Sequence, residues 1–119
     1  MQDTACVLLD PDALRGEALA RRLGASGALR VTRTGTVSEA EAALQRGTGL
    51  VLVAAERNER AELARLRARA PAALIFALHA PGEREARQAA QQAGFDGALP
   101  WEPAERLEAT LLACARERP

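Results

Sequence analysis

The chain contains no lysine and no tyrosine, and only one tryptophan, two phenylalanines and one histidine. Each shortage closes off a class of function. Proteins that stack the bases of a single strand need a row of rings, and three aromatic residues cannot supply one. Sixteen basic residues, all arginine, are offset by sixteen acidic ones. Net charge is therefore zero, without the basic stripe that marks a DNA-binding surface. Paired carboxylates, a glycine-rich phosphate loop and a nucleophile with its base are all missing, which argues against an enzyme. The two cysteines, Cys6 and Cys114, have neither a metal-ligand nor a redox spacing. They read as small buried hydrophobes in a reducing compartment. Residues 1–9 are too short and too acidic for a secretory leader, and no apolar run approaches membrane-spanning length. The expectation is one cytoplasmic domain over residues 1–119, with no cofactor, no metal, no membrane partner and no direct contact to nucleic acid.

Alanine is what the chain has in abundance, 28 residues in 119, so a core must be assembled from small pieces. Short apolar runs alternate five times with longer helical patterns. The runs cover residues 5–9, 29–32, 50–54, 73–78 and 97–99. The first, third and fourth are continuous, the pattern of strands covered on both faces. The second and fifth are less apolar and are expected nearer the sheet edges. Helical stripes fill the gaps: Leu14, Ala18, Leu19 and Leu23; Val37, Ala40, Ala43 and Leu44; Leu63, Leu66 and Ala70; Ala104, Leu107, Leu111 and Cys114. The segment 83–93 has only Ala86, Ala89, Ala90 and Ala93 to bury. An alanine methyl gains ~1 kcal/mol or less against roughly 2–3 for a leucine, so this helix is expected to be the most loosely held. Gly24, Gly47 and Gly94 fall where left-handed C-caps belong. Ser38 with Glu41 reads as a capping box, and Pro103 suits a first helical position.

Such alternation predicts an α/β fold, a five-stranded parallel sheet with helices on both faces. Ligands of these sheets bind at the carboxyl ends of the strands. The chemistry is therefore sought in the loops around Asp10, Pro11 and Asp12, residues 54–58, residues 79–81 and residues 100–103.

Those loops carry a resemblance. Val7-Leu8-Leu9-Asp10-Pro11-Asp12 resembles the first strand and acidic cluster of bacterial response regulator receiver domains. Gly49-Leu50-Val51-Leu52-Val53-Ala54 resembles their third strand, which normally ends in the phosphorylated Asp. Phe76-Ala77-Leu78-His79-Ala80 is similar to the fourth strand with its terminal Thr or Ser. Gly94-Phe95-Asp96-Gly97-Ala98-Leu99-Pro100-Trp101 is similar to the run leading to the family's Lys, especially in the subfamily with a C-terminal helix-turn-helix. The resemblance covers nearly the whole chain and implies a flavodoxin-like (βα)5 fold with strand order 2-1-3-4-5.

It also implies a site that has lost its chemistry. The family uses a carboxylate nucleophile, two acidic residues that hold Mg²⁺, a hydroxyl and an ammonium. Here Ala54 stands at the nucleophile position, Pro11 at the second acidic position, His79 at the hydroxyl and Trp101 at the ammonium. Ala98 stands where the family's switching aromatic usually sits. No change of register restores the groups, since no Asp lies between Asp12 and Asp96 and the chain has no Lys. Asp10 and Asp12 remain, as a residual metal site or as a loop hydrogen-bonder and a helix cap. Too few hard oxygen ligands are left for Mg²⁺. Glu56 reads either as a fixed negative charge imitating phosphorylation or as part of a solvated run. His79 either plugs the vacated space or senses pH. Trp101 either fills that space or projects as an interface anchor.

Three functional readings follow. The first is a phosphorylation-independent pseudo-receiver that docks a protein partner or forms a homodimer. Its surface would be the fourth helix, fifth strand and fifth helix, with Arg84, Arg87, Ala98, Arg106, Glu108 and Leu112. The second is a small-molecule sensor using Pro11, Ala54, His79 and Trp101. The third is the N-terminal regulatory part of a longer transcription factor.

Overall fold

Consecutive aliphatic residues in a strand send side chains alternately to both faces, so a continuous run is stable only between two covering layers. The computed structural model, which describes residues 4–54 and 60–117, has that arrangement. Strand and helix alternate: β1 (Thr4–Leu9), α1 (Ala13–Gly24), β2 (Leu29–Thr34), α2 (Val37–Ala43), β3 (Thr48–Ala54), α3 (Arg60–Arg69), β4 (Leu74–His79), α4 (Arg84–Ala93), β5 (Gly97–Pro100) and α5 (Ala104–Glu117). All strand pairings are parallel, in the order β2-β1-β3-β4-β5. This is the flavodoxin-like topology, and the two less apolar strands, β2 and β5, take the edges.

Alternation divides the core in two. Val7, Leu9, Val51, Val53, Ile75 and Ala77 face α2, α3 and α4. Cys6, Leu8, Leu50, Leu52, Phe76 and Leu78 face α1 and α5. On α4 only Ala90 is buried, and Ala89 is exposed.

Local details depart from the sequence-based expectations. Leu14 is 85% exposed and Ala18 is exposed too, while Gly16, Leu19 and Leu23 face the core. The phase of α1 is set by its Asp12 cap and by the close approach of Gly16 to the sheet, which hydrophobicity does not register. A Cβ at Gly16 would lie 3.0 Å from Arg33 Nε and 3.1 Å from Asp10 Cβ. The capping box of α2 is Thr36–Glu39 rather than Ser38–Glu41. Extended backbone at Thr36 lets its hydroxyl accept from the Glu39 N–H at 3.1 Å. Glu39 Oε1 in turn accepts from the Gly35 N–H and the Thr36 hydroxyl, both at 3.2 Å. Glu41, two residues on, instead pairs with Arg65 and Arg69 of α3. Gly94 does take the left-handed conformation, with φ 102°, at the end of α4. Gly24 remains helical inside α1, and Gly47 has no positive φ. Pro103 precedes α5 rather than opening it, and its carbonyl accepts from the Leu107 N–H at 3.2 Å.

No helix among the described residues is long and apolar enough to cross a membrane.

Candidate functional site

The carboxyl ends of β1, β3, β4 and β5 bring together most of the residues singled out from the sequence. Asp10, just past β1, is wholly buried. A buried carboxylate needs partners, and here it has them. Oδ1 accepts from the Asp12 N–H at 2.9 Å and from Arg15 Nη2 at 2.8 Å. Oδ2 accepts from Arg15 Nε, also at 2.8 Å. The Asp10 carbonyl accepts from Arg33 Nη2 at 2.7 Å. Asp12 caps α1, its carboxylate accepting from the Arg15 N–H at 3.1 Å.

Arg15 ties two ends of the site together. Its guanidinium grips Asp10 through two parallel hydrogen bonds, the geometry that makes arginine a specific carboxylate ligand. Its flat face covers Trp101, with the guanidinium carbon 4.3 Å from the ring centroid. Trp101 is half-buried against the core layer beneath α1 and α5, and its backbone N–H donates to the His79 carbonyl at 3.0 Å. A cation thus lies between the acidic strand end and the position where the receiver pattern has an ammonium. Neither Arg15 nor Arg33 is marked by the sequence pattern. The one local hint is an arginine in the first turn of α1, five residues beyond a strand-terminal Asp.

These residues do not fit Mg²⁺. Both Asp10 oxygens are held by Arg15, the Asp12 carboxylate is held by the helix it caps, and Pro11 offers no side-chain ligand. Ala54 ends β3 with a buried methyl. Among the described residues no cluster of three or more His, Cys, Asp or Glu is placed to hold a metal. Glu56 lies outside the described residues.

Among the cavities lined by described residues, none is lined by all four residues of the sensor reading. Pro11 and Ala54 line a cavity of about 470 Å³ beside the start of α2. Trp101 lines a cleft of about 590 Å³ between α1 and α5, with Arg15, Leu19 and Pro103. His79 opens onto a groove of about 730 Å³ between α4 and α5. His79 Nδ1 lies 2.8 Å from the Ala80 carbonyl, and its buried Nε2 has no hydrogen-bond partner among the described residues.

Along that groove, the proposed docking residues separate into two groups. Arg84, Arg87 and Arg106 are exposed and line it. Ala98 is buried beneath α4, so it offers no surface. Glu108 and Leu112 stand one turn apart on α5, next to the buried stripe of Ala104, Leu107 and Leu111. Glu108 therefore turns toward α1 and accepts from the Ser26 hydroxyl at 3.1 Å, and Leu112 packs on the core.

The chain matches no protein-family model and no curated protein sequence. Its fold does recur among solved structures. A LuxR family DNA-binding response regulator from Silicibacter pomeroyi is 24% identical, with 95% of this chain and 92% of that one covered and a TM-score of 0.73. A CheY-like protein from Pseudomonas aeruginosa is 17% identical, with 99% and 97% covered and a TM-score of 0.72. An atypical orphan response regulator with a phosphorylation-independent regulatory mechanism is 16% identical, with 97% and 98% covered and a TM-score of 0.77. At such identities the likeness is one of fold. The fold is that of receiver domains.

Proposed function

We propose that this chain is a pseudo-receiver, a regulatory domain that acts through protein–protein contact and without phosphoryl transfer. The observation that carries the reading is the Asp10–Arg15–Trp101 arrangement. Phosphoryl capture on this fold needs a carboxylate at the end of β3 and a metal held by the end of β1. Ala54 has no oxygen to phosphorylate, and Arg15 takes the Asp10 oxygens that a metal would need. Arginine stays charged at every physiological pH, so the cation is permanent and independent of any phosphodonor. The atypical orphan regulator of the same fold gives the reading a precedent in kind.

Trp101 is the only indole in the chain, and its face carries the Arg15 guanidinium. Any metal or phosphoryl group that displaced Arg15 from Asp10 would change its emission. Titration with Mg²⁺ and acetyl phosphate is expected to leave Trp101 fluorescence flat. A saturable change would overturn the proposal.

A further inference from the structure

We infer that the cleft between α1 and α5 binds a small cationic amine with an apolar body. Such a site is independent of the pseudo-receiver reading. At about 590 Å³ the cleft has the size of a small-molecule site. Its walls are mostly apolar, with Leu19 from α1, Pro81 from the loop after β4, and Trp101, Pro103 and Ala104 from the turn into α5. These walls are in place before any ligand arrives. Leu19 and Ala104 are buried in the core layer beneath the two helices. The Trp101 ring packs on the same layer and is covered by Arg15, which Asp10 holds through two hydrogen bonds. Walls that are already fixed spare a ligand the entropic cost of ordering them.

The charge of the ligand follows from the charged residues that line the cleft, Arg15, Arg22 and Glu102. Arg15 is neutralised by Asp10, and Arg22 by Glu105. Glu102 is exposed, and its side chain has neither ion pair nor hydrogen bond among the described residues. The charge left uncompensated in the cleft is therefore negative, and it follows the indole directly in the chain. An ammonium satisfies that charge, while the apolar body of the same molecule covers the ring edge and the prolines. A carboxylate fits less well. It would meet Glu102 as a like charge, and to reach a cation it would have to displace Glu105 from Arg22.

The test uses three probes with one naphthalene body: naphthylmethylamine, naphthylmethanol and naphthoate. Binding is read in nitrogen–proton correlation spectra from the indole N–H of Trp101, the only such signal the chain can give. The amine should shift it saturably and bind about threefold tighter than the alcohol, with naphthoate weakest. Glu102→Gln should bring the amine to the level of the alcohol. Glu85→Gln, on α4 and outside the cleft, should leave the amine unchanged. Ala18→Phe, which fills the cleft from an exposed position on α1, should abolish the shift for every probe. No saturable shift, naphthoate binding as tightly as the amine, or a shift that survives Ala18→Phe overturns the inference. So does an amine affinity that Glu102→Gln leaves unchanged or that Glu85→Gln lowers equally. Concentration-dependent dimerisation in sedimentation velocity that Ala18→Phe abolishes also overturns it, because the occupant would then be a second copy. None of these outcomes touches the pseudo-receiver reading, which fails separately if the domain responds to a phosphodonor.

Discussion

Asp10 illustrates how a single side chain decides what a site can do. Its carboxylate is fully buried and gripped by the Arg15 guanidinium, so this pair matters more than a surface ion pair would. Arg15→Met removes the cation and leaves the carboxylate buried without its main partner, at a cost of about 3 kcal/mol. Asp10→Asn in the Arg15→Met background should recover most of that loss. Urea unfolding of the two single variants and the double variant checks this, and a strictly additive cycle would mean the two side chains are not coupled. Cys6 gives a second prediction at this scale. Burial pushes its thiol up from 9.0 to about 12. The unfolded chain then loses its proton first, so native stability is intact below about 9 and falls as pH rises toward 12. At pH 8 a thiol reagent should modify half-buried Cys114 in the native protein, and Cys6 only in denaturant. Rapid modification of both thiols without denaturant would contradict the burial.

Individual elements show where a sequence speaks and where it is silent. The stripes of α3 and α5 were legible because Leu63, Leu66, Leu107 and Leu111 are large, and their burial dominates any other preference. α1 misleads for the converse reason. Leu14 is apolar yet exposed, and the residue that comes closest to the sheet is a glycine with no hydrophobicity to read. α2 hides its start among Thr36, Ser38, Glu39 and Glu41, which offer two overlapping capping boxes. Only backbone geometry separates them. Thr36→Ala should therefore cost about 1 kcal/mol, and Ser38→Ala a few tenths at most. Thermal unfolding of both variants decides it, and the reverse order would restore Ser38 as the cap. Arg15 is hard to read from sequence because only one of its two partners, Asp10, is local; Trp101 is brought beside it by the sheet.

For the whole molecule, layering and the choice of edge strands follow from a simple rule. Continuous aliphatic strands must be central and covered on both sides, and β1, β3 and β4 are. The weaker runs then fall to the edges, while the order of the three central strands is what the receiver resemblance implies, since right-handed crossovers alone leave several orders open. The docking surface was less legible. Arg84, Arg87 and Arg106 do share a groove, but Ala98 is buried, Leu112 packs on the core and Glu108 bonds the Ser26 hydroxyl, because helix phase on α5 and the pleat of β5 decide which residues reach that groove. On the pseudo-receiver proposal, what unites the molecule is a permanent charge at the ends of β1 and β5, where the receiver resemblance implies a switchable one.

Intact-mass measurement of the purified protein after incubation with Mg²⁺ and excess acetyl phosphate tests that replacement most directly. Only the unmodified mass is expected, for the wild type and for Arg15→Met alike, since neither has a side-chain oxygen at position 54. A stable phosphoryl adduct on the wild-type chain, mapped to the strand ends around Asp10, would contradict it.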